Sequence, residues 1–400
     1  MLSNQAEKVV LKASAFYKYR FILLYINCFL ISCSYGFIYL LSLFVSNYGG
    51  DAINVGAVLA IAGVVTLMCV GFSGAIAQKI GAVNVCMFGS ICCALGFFLI
   101  DQAHGLSLLF YSSGLFVGLG WSFYYAASPM IITNQVADQS RGKYLGHIAA
   151  FVVLGTGCGP ILGKYLLAND VPVAAIYSYP AMIAMFAALM FFIQKPLWRE
   201  ELKNQTQGKQ FNLITIITSE AKYPLVMVFL GACIFSSMMN FQTLYANTRQ
   251  LDYIVYYAAY MFSVVGSRLV FSGLLTHKNP ISASPYLLLL MCVGLLAMLL
   301  NTHSEIIYAL SAMALGISYG LVYPLIKTYA VNVTATHLRH EVLAYFTLAY
   351  FIGVYLFPLL GGFVIRIGGE KSFLGLLLGI CIVDMAIGYY RGKAKSSILP

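Results

Sequence analysis

Gly155-Thr-Gly157-Cys-Gly159-Pro160-Ile-Leu-Gly163 and Gly353-Val-Tyr-Leu-Phe-Pro358-Leu-Leu-Gly361 decide how this chain is read. Each lies inside an apolar run, and in each a Gly, a Pro and a Gly stand at the same spacing, 198 residues apart. The same offset carries Gly118 onto Gly316 and Arg141 onto Arg339, and it brings the first apolar run of the chain onto the seventh. Five Gly, Arg or Pro identities at one offset, with hydropathy in register, indicate a duplicated unit. Helices that merely pack through scattered glycines have no reason to share an offset.

Outward from these stretches the chain is apolar almost throughout. Of 400 residues, 61% are hydrophobic and only 9% charged, against roughly 25% charged in a soluble domain. Such a chain needs lipid as its solvent, and a helix needs about 20 apolar residues to cross it. Twelve runs qualify: Phe21–Val45, Val55–Ala77, Val83–Ile100, Leu106–Ile131, Tyr144–Leu167, Val173–Ile193, Tyr223–Tyr245, Tyr253–Leu275, Pro285–Leu300, Ile306–Lys327, Val342–Ile365 and Phe373–Tyr390. The longest polar gap, 195–222, divides them six and six. The expectation is an all-α membrane protein of twelve transmembrane helices in two pseudo-symmetric six-helix bundles, 1–194 and 223–400, joined by that gap as a linker. The first run is long enough to remain as a helix, so no cleavable signal is expected.

The formal charge of +10 is a topology signal. With the N-terminus in the cytoplasm, eighteen of the 23 Lys and Arg fall on the cytoplasmic side. Lys164, Arg249, Arg366 and Lys371 fall on the other, and Arg268 lies within a run. This satisfies the positive-inside rule. It places both termini in the cytoplasm, fits a bacterial inner membrane, and removes a nucleic-acid partner from consideration. All ten cysteines sit in apolar runs and read as small buried hydrophobes, not as a disulfide framework or zinc site.

The local motifs resemble the major facilitator superfamily over essentially the whole chain. Gly74-Ala-Ile-Ala-Gln78-Lys79-Ile-Gly81 resembles its signature loop between the second and third helices, with Gln78 where the family has an acid. Glycines there permit a tight reversal, and in the family this loop helps latch the two halves on the cytoplasmic side. Asp138-Gln-Ser-Arg141-Gly-Lys-Tyr-Leu-Gly146 resembles the loop entering the fifth helix, and Thr336-His-Leu-Arg339-His-Glu341 is its second-half counterpart. Arg141 and Arg339 are expected to be inter-helix tethers. The stretch from Gly155 through Gly159 and Pro160 to Gly163 resembles the Gly-Pro motif of the family's efflux antiporters. The resemblance puts that helix at the interface between halves, where a bend can seal one side. Gly266-Ser-Arg268-Leu-Val-Phe-Ser-Gly273 resembles the stretch before the second copy of the signature loop, which favours a structural pairing for Arg268 over a substrate contact.

What the resemblance implies is a secondary transporter with a central cavity working by alternating access. Its cavity-lining helices carry Asn27, Ser34, Tyr35, Trp121, Tyr124, Ser237, Asn240, Tyr260, Tyr319, Tyr323 and Tyr350 near mid-depth, and these are the candidate substrate-binding residues. Such a set suits a polar or amphipathic solute and not a bare metal ion, for which no His, Cys or carboxylate cluster stands out. Asp384 is the only acid well inside a run. On the peripheral twelfth helix it is expected to be a structural, hydrogen-bonded acid. Lys164, near a helix end, is expected to snorkel. With no carboxylate in the first run, coupling to protons or another ion stays open. No HExxH, GxSxG or P-loop pattern occurs, so neither an enzyme nor an ATP-driven pump is expected, and no cofactor. Efflux leads over uptake of a siderophore, sugar or other metabolite and over a non-transporting sensor. The expected partners are a small-molecule solute and the lipid bilayer, with the chain acting as a monomer.

Overall fold

The computed structural model describes residues 2–133, 135–136, 138–198, 216, 218–275, 280–335 and 338–396, with side chains placed for 19–133, 135–136, 144–198, 216, 218–270, 281–335, 338–339 and 341–393. Helices dominate and no strand occurs among the described residues. In lipid every backbone N–H and C=O must be satisfied within the segment, which a helix alone achieves in a single pass. The spans are Leu2–Gly36 continuing to Leu41–Asn47, then Ala52–Ile80, Ala82–Asp101, Leu108–Thr133, Asp138–Ala168 and Ser178–Gln194. The second half follows with Lys222–Asn240 continuing to Gln242–Thr248, then Tyr253–Leu275, Pro280–Leu300 and Glu305–Asn332. The stretch Arg339–Ser396 contains the last two spans and turns back at Gly369, whose φ of 73° and ψ of 176° are not helical. Packing proves the turn. Gly353 lies against the carbonyl of Phe229, and Asp384, about as far beyond Gly369 as Gly353 is before it, lies against Gly231. The linker expectation, 195–222, falls largely on residues outside the described ones.

Local chemistry sets the reversals. Asp51 accepts from the amides of Ile53 (3.0 Å) and Asn54 (3.4 Å), while Asn54 accepts from the Asp51 amide (2.9 Å). This reciprocal capping box starts the second span. A single residue, Gly81, separates the second span from the third, and its φ of 95° is one that a side chain rarely tolerates. Arg249, at the end of the seventh span, is buried. It is answered there by Glu370, by the carbonyl of Asn301 at 3.2 Å and by the ring of Tyr245 at 3.9 Å, as a charge withdrawn from water requires.

The duplication is visible in the contacts. Gly118 of the fourth span abuts the backbone of Ala62 in the second, and Gly316 of the tenth abuts the backbone of Tyr260 in the eighth. Ala62 and Tyr260 are themselves 198 residues apart. Gly155 meets the carbonyl of Phe29 and Gly353 that of Phe229, a spacing of 200. The first and seventh spans therefore correspond at 200 and not at the 198 expected for them, because the second half has two fewer residues before its next span. Both spans also break at matching depth, the first at a 3-10 turn, Phe37–Leu40, and the seventh at Phe241.

The two halves meet at the end remote from the linker. A Cβ on Gly56 would lie 2.5 Å from the Cα of Leu359, one on Gly362 would lie 2.5 Å from the carbonyl of Ala52, and Gly63 packs on Tyr355. Small residues thus bring the second and eleventh spans into backbone contact. Ion pairs Lys164–Asp252 and Arg366–Asp51 (3.6 Å) and the hydroxyl pair Ser42–Thr243 bridge the same end. Lys164 therefore has a partner in the other half where free snorkelling was expected. Toward the linker, Gly71 and Gly74 of the second span, Gly146 of the fifth and Gly266 of the eighth face nothing within 4 Å. The contacts between the halves named above gather at the remote end, and the cleft lies on the linker side of them.

Candidate functional site

The cleft between the halves holds about 940 Å³ of empty space, its mouth included. Eight spans contribute, in pairs four residues apart: Tyr35 and Tyr39, Trp121 and Tyr125, Val152 and Thr156, Ser236 and Asn240, Tyr260 and Val264, Tyr319 and Tyr323, Phe351 and Tyr355, with Leu59 alone. Residues four apart stack on one helical face, so each span offers the cleft a single stripe.

The walls are aromatic. Tyr35 stacks on Trp121 with centroids 3.9 Å apart, and Phe235 stacks on Tyr319 at 4.6 Å. Tyr323 meets Tyr350 edge-on at 5.4 Å, and Tyr125 meets Phe351 at 5.1 Å across the halves. The blind end is sealed by hydroxyls. Tyr35 and Tyr355 share a hydrogen bond of 2.9 Å across the boundary. Below them Tyr257 donates to the carbonyl of Met239 at 2.6 Å and lies 3.3 Å from that of Tyr39. These two carbonyls flank the breaks in the seventh and first spans, where the helical ladder no longer covers them.

Polar groups interrupt the aromatic wall at few points. The Asn240 amide donates to the carbonyl of Ser236 at 2.8 Å, while its oxygen has no partner among the described residues. The buried Tyr260 hydroxyl is likewise unpartnered. Arg268, two turns beyond Tyr260 on the same face, is the one cation on the wall, and its Nε donates to the carbonyl of Gly320 at 3.0 Å. No Asp or Glu lines the cleft, and no cluster of three or more His, Cys, Asp or Glu suited to a metal occurs among the described residues.

Of the expected binding residues, Tyr35, Trp121, Asn240, Tyr260, Tyr319, Tyr323 and Tyr350 lie on this wall. Four do not. Ser34 donates to the carbonyl of Pro180 at 2.8 Å on the sixth span. Tyr124 is buried toward Cys28 and Cys86, between the first and third spans. Ser237 borders a separate small void beside Phe241 and Phe373. Asn27, eight residues before Tyr35, lies about 12 Å down the helix axis, fully buried in its half. Ser34, Tyr124 and Ser237 each sit one residue from a wall residue, and one residue is a turn of 100° about the axis. Missed were Tyr39, Tyr125, Phe235, Ser236, Phe351 and Tyr355. Three of them, Tyr39, Tyr125 and Ser236, stand four residues from an expected one, and that spacing was the available signal.

The expected gating residues divide similarly. Gly155, Gly159 and Gly163 form a stripe against Phe29, Gly36 and Leu40 of the first span, within their own half. Only Gly157 of that stretch meets the other half, at Met261. The fifth span nonetheless lies at the interface between the halves, through Gly157 on Met261 and Lys164 with Asp252. Pro160 lies inside the fifth span. Gly81 makes the reversal, Gly74 borders open space and Lys79 is exposed. Arg339 is exposed, with no partner among the described residues, and the side chain of Arg141 and residues 336–337 lie outside them. Arg268 both makes a structural pairing, its Nε donating to the Gly320 carbonyl of the tenth span, and faces the cleft. Asp384 is fully buried, yet both carboxyl oxygens lack a hydrogen-bond partner among the described residues, a correction to the hydrogen-bonded acid expected.

The profile of the family described as Major Facilitator Superfamily matches residues 23–358. The riboflavin transporter RibZ of Clostridioides difficile (strain 630) is 30% identical over 135 residues, 33% of this chain and 29% of that protein. The multidrug resistance protein MdtH of Salmonella typhi is 25% identical over 194 residues, 46% of this chain and 47% of that one. The matched region thus covers less than half the length of either relative. Among solved structures, a mutant of the nucleoside transporter NupG superposes with a TM-score of 0.79 at 13% identity, covering 93% of this chain and 99% of that one. A mutant of the peptide transporter POT gives 0.74 at 12%, covering 93% and 95%. At these identities the likeness shows the fold.

Proposed function

Because the chain belongs to the major facilitator superfamily, we propose that it is a secondary transporter that carries a small organic solute across its membrane by alternating access, with the cleft as its binding site. One observation carries this reading: a single cleft, built from both halves, is sealed at one end by small-residue contacts and hydroxyl pairs and open at the other. Rocking the halves about such a cleft exposes the same site to each side in turn.

The eighteen-to-four distribution of bases supports a cytoplasmic linker side, and on that reading the cleft faces the cytoplasm. The Gly-Pro stretch of the fifth span and the match to a multidrug resistance protein favour efflux. The match to a riboflavin transporter fits a small organic cargo. One chain contains the whole path, which supports a monomer. No carboxylate among the described residues lines the cleft wall, so the reading names no proton carrier.

The test is a counterflow screen on purified chain in proteoliposomes. Exchange of labelled solute that depends on the protein and saturates supports transport. Binding without exchange for every ligand that binds makes the chain a sensor instead.

A further inference from the structure

We infer that the solute is a flat aromatic organic anion, its acidic group held by Arg268 and its ring face laid on the tyrosine wall. This rests on the cleft being the binding site, and it goes on to the chemistry of what enters.

Arg268 is built to receive a ligand. Its Nε is anchored on the Gly320 carbonyl at 3.0 Å, which fixes the direction of the guanidinium. No partner for its remaining N–H groups occurs among the described residues, and no Asp or Glu shares the wall. Tyr260, Tyr323 and Tyr350 share the wall with it. A cation at membrane depth is retained when it pairs with another group or faces a water-filled cavity. Among the described residues no acid lines this wall, so an anionic ligand is the natural counterion. The free edge of a guanidinium matches the two oxygens of a carboxylate, sulfonate or phosphate.

The rest of the wall sets shape. Rings from opposite halves face the same space, and aromatic faces recognise flat π systems by offset stacking. Two buried polar atoms, the Tyr260 hydroxyl and the Asn240 amide oxygen, lack partners among the described residues. They would meet a donor or acceptor on the ring edge. An aromatic wall also attracts cations through ring quadrupoles. That attraction falls off faster with distance than repulsion by a full charge, so Arg268 turns the site against them.

The probes are naphthalene-2-carboxylate, naphthalene-2-carboxamide, 2-naphthylmethylammonium and cyclohexanecarboxylate. Binding of each to the purified full chain is measured by calorimetry. The expected result is naphthoate binding at least tenfold tighter than the other three. Arg268→Gln removes the preference for naphthoate over the carboxamide, and Arg268→Lys keeps part of it. Equal affinities, tighter binding of the ammonium, no binding of any probe, or a preference surviving Arg268→Gln each overturns the inference. The wild-type ranking decides even if a variant fails to fold. Naphthoate flux in proteoliposomes is read separately. Selective binding without flux of any solute defeats the transport reading alone. Flux of the amide and ammonium at the naphthoate rate defeats the anion assignment alone.

Discussion

The Tyr35 hydroxyl lies 2.9 Å from that of Tyr355, joining the first span of one half to the eleventh span of the other at the blind end of the cleft. This bond exists only while that end is closed. Tyr35→Phe should remove a contribution of about 0.5–1.5 kcal/mol, roughly a two- to twelvefold shift in population toward the state open at that end. Electron–electron double resonance between labels at the exposed Asn47 and Asn247 measures it as growth of the longer distance. Tyr257→Phe, which uncovers the carbonyls of Tyr39 and Met239, should act in the same direction.

Glycines at the two ends of the second span should respond oppositely. Gly74 has nothing within 4 Å of a Cβ, so Gly74→Leu should alter stability in this state by no more than about 0.5 kcal/mol. In the alternate state the same side closes, and the added bulk opposes it by about 1–3 kcal/mol, roughly 5- to 150-fold in population. Transport should fall while binding from the linker side persists. Thermal unfolding and flux, measured together, check this.

Lys164 and Asp252 pair across the halves with about a third of each side chain exposed. Screening limits such a pair to about 0–1 kcal/mol. Asp252→Asn should therefore weaken the seal slightly. The exchange of charges, Lys164→Asp with Asp252→Lys, should restore the wild-type distance distribution, and each single change should not.

Asp384 has no hydrogen-bond partner for either oxygen among the described residues although it is fully buried. Removing an orphaned polar group relieves a penalty of about 1–3 kcal/mol. Asp384→Leu should raise the melting temperature of the purified protein, with transport retained. A lower melting temperature would show that the carboxyl has a partner in the membrane.

The duplication was legible because glycines persist where two backbones touch. Gly118 and Gly316 show this, each against the partner span at an equivalent height. Which face of a span turns inward was not legible at the same resolution. In a membrane the outer face of a helix meets lipid and the inner face meets other apolar side chains, so hydropathy carries no inward stripe of the kind a soluble helix has. Ser34 and Tyr35 are equally plausible by composition, and only the packing of Ser34 on Pro180 separates them. The break at Phe37–Leu40 and the pairing of Lys164 with Asp252 depend on contacts between distant residues, which no local pattern announces.

The central claim is that the cleft closes at one end as it opens at the other. Distances measured by electron–electron double resonance in lipid nanodiscs, for labels at Asn47 and Asn247 and, separately, at Gly146 and Leu269, test it directly. They compare the wild type with Gly56→Leu, which wedges the closed end where Gly56 meets Leu359. The account predicts that Gly56→Leu lengthens the first distance and shortens the second. Lengthening of both, or a change in one with the other fixed, would contradict it.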